Sequence, residues 1–316
     1  MRVLLGWVGA AVILAGALVG GVLAANATVF SASAFVRDYL ASLADGHVDE
    51  VLALPGVDAK GLDERLLDER AFTGVDAEVV GDEVRAGVHR VRVAVSGGGV
   101  SGEAVLEVER IGSRFGLFPE WGFASSPVTT VQVSTTGDAR FTAGGVPLAT
   151  AGGRPAAFAA LTPALYVFEH DSQFLEAEPV AVLATGTDAA VALDIRPNAV
   201  FTAIVADAVE ADLLACTEQG ILFPVGCPFG HAIENRVVSE PVWTIAEPPA
   251  VELVASERFG LWEVHGSDGV ARLTVDVQSL FDGSITSLEH DVPFAASYGI
   301  AFEGTTVVLT PVGPGG

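Results

Sequence analysis

The chain has 316 residues, with Lys+Arg 16 against Asp+Glu 40, a formal charge of −24 and a sequence pI near 4.4. So few basic side chains argue against nucleic acid and anionic lipid headgroups as partners, because both are bound by neutralising their phosphates. Hydrophobic residues make up 50% and charged ones 18%, enough apolar surface for packed cores and far from a disordered composition.

From Val3 to Ala25 no side chain ionises, and such a run as a helix is long enough to cross about 30 Å of hydrocarbon. Arg2 precedes it, and Arg37, Asp38, Asp45, Asp49 and Glu50 follow. The positive-inside bias puts the N-terminus in the cytoplasm and the body outside. A cleaved signal peptide is the alternative, with Ala25-Asn26-Ala27 as an A-x-A-like site, but the run exceeds the roughly 7–15 residues of an ordinary h-region. Either way the body is exported. Residues 1–29 are therefore assigned to a single-pass anchor.

Residues 30–126 open with helical spacing at Phe35, Val36, Tyr39, Leu40 and Leu43, with Ser31 or Ser33 as cap and Gly46 as stop. A short charged helix follows around Leu62–Glu69, where Asp63, Glu64, Asp68 and Glu69 interleave with Arg65 and Arg70 as a solvated face. Strands Val88–Val95 and Glu103–Arg110 flank a Gly-rich turn, Ser96 to Gly102. Pairing residues whose numbers sum to 199 sets Val91 against Val108, Val93 against Leu106 and Arg92 against Glu107. An aromatic strand over 115–123 closes an α+β layer. Its Phe115, Phe118, Trp121 and Phe123 suit core packing and the lining of a pocket equally well.

Residues 127–196 read as strand and turn only. Short runs at Val128–Thr135, Asp138–Thr142, Ala164–Phe168, Pro179–Leu183 and Ala189–Ile195 predict a small β-sandwich. Residues 197–316 begin with a helix in which Phe201, Ile204, Val205, Ala208, Val209 and Leu213 keep helical spacing, Pro197 suiting its first turn. Cys216 and Cys227 are few, even in number and close together, which in an exported chain favours a disulfide. The loop they close carries Ile221, Leu222, Phe223 and Phe229, apolar residues suited either to a partner contact or to capping their own sheet. Strands follow at Val237–Ile245, Val251–Ser256, Leu261–Val264 and Ala271–Gln278, then Pro293–Phe302 paired across Glu303-Gly304 with Thr305–Thr310.

The helix-first unit with Phe35-Val36-Arg37-Asp38-Tyr39-Leu40 and Phe115-Gly116-Leu117-Phe118 resembles the NTF2-like modules of exported Gram-positive proteins. The stretch Arg140-Phe141-Thr142-Ala143-Gly144-Gly145-Val146, followed by Leu161-Thr162-Pro163-Ala164-Leu165-Tyr166-Val167-Phe168, is similar to PEGA-like domains, with Ala164 where that pattern usually has Gly. The whole chain resembles actinobacterial membrane proteins, and its layout is similar to TcaA-type envelope proteins without their N-terminal zinc ribbon. The resemblance implies two NTF2-like units around a PEGA-like sandwich and an envelope role. It implies no reaction and transfers no catalytic residue.

The residues give no catalytic constellation either. There is no G-x-S-x-G, no HExxH and no Gly-rich run that opens a helix. Glu169-His170-Asp171 recurs as Glu289-His290-Asp291, but neighbours on a strand point to opposite faces, so each tripeptide offers a metal one or two ligands and reads as an acidic strand end. His231 and His265 stand alone in sequence. Ser267-Asp268-Gly269 and Phe281-Asp282-Gly283 read as turns and not as calcium loops. No metal or cofactor is expected. The expected function is binding of an envelope protein or cell-wall component, with an exported hydrolase-like enzyme built in an NTF2-like pocket and a structural spacer as the alternatives.

Overall fold

The computed structural model describes residues 2–59, 61–303 and 306–312. The chain is mostly β, 49% strand against 19% helix, in several sheets. It forms two compact units: Met1–Ser134, Arg140–Glu169 and Glu178–Leu193 make the first, and Thr135–Ala139, His170–Ala177 and Asp194–Gly316 the second. Residues on both sides of position 126 thus belong to one unit.

The first unit begins with helix α1 (Arg2–Thr28). Its side chains from Ile13 to Leu23 are covered by almost nothing; Ile13 is 73% exposed and Leu18 68%. Among the described residues no single helix is long and apolar enough to cross a membrane, while Ile13–Thr28 together with Ala32–Ala44, bent by 47°, passes by length and composition. The second half of that pair, α2 (Ala32–Ala44), buries Val36, Tyr39, Leu40 and Leu43 in the core of its unit. Ser31 caps α2 by accepting from the Ala34 amide. After α3 (Val48–Leu52), a 3-10 turn at Glu64–Leu67 takes the place of the expected charged helix, with Arg65 on Asp63 and Arg70 on Asp68 at 2.6 and 2.7 Å.

Strand β1 (Phe72–Thr73) leads to a four-stranded antiparallel meander, β2 (Asp76–Arg85), β3 (Val88–Gly97), β4 (Val100–Arg114) and β5 (Phe118–Phe123). The β3–β4 register lies two residues from the one expected, so that Val91 faces Leu106, Val93 faces Ala104, and Arg90 meets Glu107 at 3.1 Å. The turn decides this: only Gly98 and Gly99 form it, with φ +57° and +80°, and this primed geometry suits a tight hairpin. A slip of two preserves the faces, so Val91, Val93, Val95, Leu106 and Val108 remain buried. The aromatic strand starts later than expected, because Phe115 and Gly116, at φ +55° and +69°, make the β4–β5 turn.

Seven strands follow: β6 (Val128–Thr136), β7 (Arg140–Ala143), β8 (Val146–Ala149), β9 (Ala156–Leu161), β10 (Ala164–Asp171), β11 (Leu175–Ala184) and β12 (Ala189–Asp194). One sheet has the order β12-β6-β9; in the other, β10, β7 and β8 are neighbours and β1 pairs with β10. Phe141 and Phe158, both buried, meet between the sheets with ring centroids 6.0 Å apart. The helical part of the unit is stitched to this core. Tyr39 donates its hydroxyl to the Thr162 carbonyl, the Ala159 amide donates to the Asp63 carbonyl at 2.8 Å, and Arg65 lies over the Phe158 ring.

In the second unit, β13 (Arg196–Pro197) contains the proline expected to open the helix, and Asn198 caps α4 (Ala199–Thr217) instead, its side chain accepting from the Phe201 amide. Then come β14 (Arg236–Val237), β15 (Val242–Glu247), β16 (Glu252–Ala255), β17 (Trp262–Gln278), β18 (Ile285–Glu303) and β19 (Thr306–Pro311). The two strands expected at 261–264 and 271–278 are one. Ser267-Asp268-Gly269 continues β17 after a register shift, and Gly269 is required because the Phe294 ring lies 2.5 Å from where its Cβ would be. Likewise Glu289-His290-Asp291 lies inside β18 and is no strand end; Asp291 pairs with Arg272 at 2.6 Å. Phe281-Asp282-Gly283 does form a turn, with Asp282 accepting from the Ser284 amide and hydroxyl. β18 and β19 pair as far as Glu303–Thr306, and residues 304 and 305, where their turn was expected, lie outside the described residues.

Candidate functional site

Helix α4 presents two apolar faces. Phe201, Val205, Val209 and Leu213 recur every four residues and pack inward. Beside that stripe, Ala206, Leu214 and Thr217 look across to Trp243, Thr244 and Ile245 of β15 over a groove of about 660 Å³. β15 pairs with β17 through a bulge between Ile245 and Glu247, and the pairing ends at Glu247; Pro248 and Pro249, which cannot extend a ladder, follow and line the groove. Glu210 is the one carboxylate on the lining, and Leu214 remains 52% exposed. A site of this kind takes an apolar group and excludes an anion.

The cysteine loop is tied to the same wall. Cys216, in the last turn of α4, and Cys227 form a disulfide with Cα atoms 5.8 Å apart. Gln219 clamps the loop from both ends of its amide, accepting from the Val225 amide at 2.7 Å and donating to the Val225 carbonyl at 3.1 Å. Trp243, which also lines the groove, donates its indole N–H to the Ile221 carbonyl at 2.8 Å. The four apolar loop residues divide by role. Phe229 is buried against Trp243 and Phe294, with centroids 5.0 and 5.4 Å away, so it caps the sheet; Leu222 is half-buried; Ile221 and Phe223 face outward, Phe223 60% exposed.

His231, isolated in sequence, is not isolated in space. Its ring meets that of His290 with centroids 4.1 Å apart, and its amide donates to the Leu222 carbonyl at 2.9 Å, closing the loop. Burial, and then the neighbouring His290, push the His231 imidazole below its ordinary range. The unfolded chain therefore takes up a proton before the folded one does. The stability this contact provides is complete above the ordinary histidine pKa and is lost as the pH falls below it. His231→Gln should flatten the fall in thermal midpoint between about pH 7 and pH 5 relative to wild type; parallel curves for the two proteins would contradict the pairing.

The aromatic candidates of the first unit also separate. Phe118 and Trp121 line a shallow cleft with Phe30, Phe35 and Pro55. Phe123 is buried against Phe35 and Tyr39, at 5.2 and 5.1 Å. Phe115 stands away from the cleft at the β4–β5 turn, 86% exposed. Among the described residues no group of three or more His, Cys, Asp or Glu side chains converges as metal ligands. No protein-family model, curated protein or solved structure matches the chain.

Proposed function

We propose that this chain is a membrane-anchored, extracytoplasmic protein that binds an envelope protein or cell-wall component through the groove between α4 and β15. What supports the anchoring is the run Val3–Ala25, in which no side chain ionises, together with α1, whose apolar side chains from Ile13 to Leu23 are mostly exposed. Helices that are hydrophobic on all sides are covered by something, and α2, which bends away at 47°, is committed to its own core. The disulfide accords with an oxidising compartment outside the cytoplasm. The helix-and-meander part of the first unit is read as NTF2-like and its two-sheet part as PEGA-like.

Binding is favoured over catalysis by the character of the groove, an apolar channel with a single carboxylate and a rigid, cystine-closed rim. The test is photo-crosslinking in the native cells with the probe at Leu214. A recurrent envelope protein or cell-wall fragment, lost when Ala206→Trp fills the groove, is the expected result. Products that are only intramolecular would remove the groove from consideration as a binding site.

A further inference from the structure

The β4–β5 hairpin runs alongside the end of α1, and its contacts have a direction. Trp121 donates its indole N–H to the Phe30 carbonyl at 2.9 Å, Phe118 packs on the Phe30 ring at 4.5 Å, and Asn26 donates its side-chain amide to the Leu117 carbonyl at 2.9 Å. Passing back along β5 from Trp121 to Leu117 therefore moves from Phe30 into the last turns of α1, and the turn itself, Phe115-Gly116, continues that way. Asn26 is the residue immediately after Ala25, where the uninterrupted apolar run of the sequence ends. The turn thus stands level with the place where an apolar helix would leave hydrocarbon for water.

Several apolar side chains around this level are uncovered. Phe115 is 86% exposed, Leu117 and Ile111 about half, and Val29, on the same side of the junction, 68%. Phe115 holds φ +55°, a conformation that side chains other than glycine and asparagine seldom adopt, so a solvated tip would be better served by glycine. Arg114, the nearest cation, already pairs with Glu120 at 3.6 Å. Together with the chain's strong negative charge, this points to an uncharged boundary layer and not to attraction by anionic headgroups.

We infer that the β4–β5 turn inserts Phe115 and Leu117 into the interfacial layer of the bilayer, so that the first unit is fixed to the membrane at two points, helix α1 and the hairpin tip. The occupant is the glycerol and upper acyl region of a neutral phospholipid leaflet, where aromatic side chains concentrate. The inference rests on the reading of α1 as a membrane anchor.

Both native cysteines are in the disulfide, so one added cysteine labels uniquely. Full-length protein carrying Phe115→Cys, Ile13→Cys or Ser101→Cys is labelled with an environment-sensitive nitrobenzoxadiazole dye and reconstituted into phosphatidylcholine vesicles with shallow or deep spin-labelled lipids. Ser101 is exposed at the far end of β4 from the turn. The expected result is a blue-shifted, several-fold brighter signal at positions 13 and 115, with 115 quenched mainly by the shallow label and 101 remaining aqueous. A lipidic helix probe with an aqueous probe at 115 overturns the tip insertion and leaves the anchor standing. An aqueous probe at 13, with protein that does not float with the vesicles, overturns the anchor and the insertion together.

Discussion

Gly144→Ala is expected to destabilise the first unit by about 3 kcal/mol or more. Gly144 and Gly145 form the turn between β7 and β8, at φ +55° and +82°. The two glycines meet very different surroundings. A Cβ on Gly144 would sit 1.7 Å from the Arg70 carbonyl oxygen, whereas one on Gly145 would have nothing within 4 Å. The left-handed conformation alone costs an alanine about 1–2 kcal/mol, and that is the whole penalty expected for Gly145→Ala. At position 144 the backbone leading to β1 must also move, and with it the Phe72–Tyr166 pairing of β1 with β10. Urea titration of both variants separates the two contributions; equal losses would mean that the Arg70 carbonyl gives way freely.

The second large effect is at the cystine. Changing Cys216 and Cys227 together to serine should cost about 3 kcal/mol in the chain-entropy account of a short closed loop. The loss should be local in its first signs. The loop is also held by Gln219, by the Trp243 indole and by buried Phe229, and of these only Gln219 touches sulfur, its amide lying 3.4 Å from Cys227 Sγ. Hydrogen exchange should therefore rise first across residues 216–231, with the β3–β4 amides of the other unit unchanged. A double-serine variant with wild-type protection in the loop would show that these polar and aromatic contacts suffice.

What could be read in the sequence follows the range of the interactions. The α2 and α4 stripes were legible because helical spacing is a local signal, and the α4–β15 groove left a trace in the apolar residues, Ala206 and Leu214, outside the inward stripe. The β3–β4 faces were legible for the same reason, but the register was not. A tract of Ser-Gly-Gly-Gly-Val-Ser-Gly allows several turns, and only the glycine pair that matches the strand twist decides among them. The length of β17 and β18 was hidden because Ser-Asp-Gly reads as punctuation until Phe294 is seen occupying the space above Gly269. β8 carries a proline and β9 is rich in alanine, so neither has the β-branched signature of a strand. The His231–His290 contact joins residues with no sequence relation and had no local signal at all.

The chain passes from one compact unit to the other at 134/135, 139/140, 169/170, 177/178 and 193/194. Neither unit is a cassette. A gene fragment beginning at Asp194 would encode the groove and the cystine yet lack Thr135–Ala139 and His170–Ala177, which belong to the same unit. Each unit is therefore assembled from more than one segment of the chain. The shortest continuous stretch that holds every segment of the first unit is 1–193 and of the second 135–316, so the two stretches share 135–193.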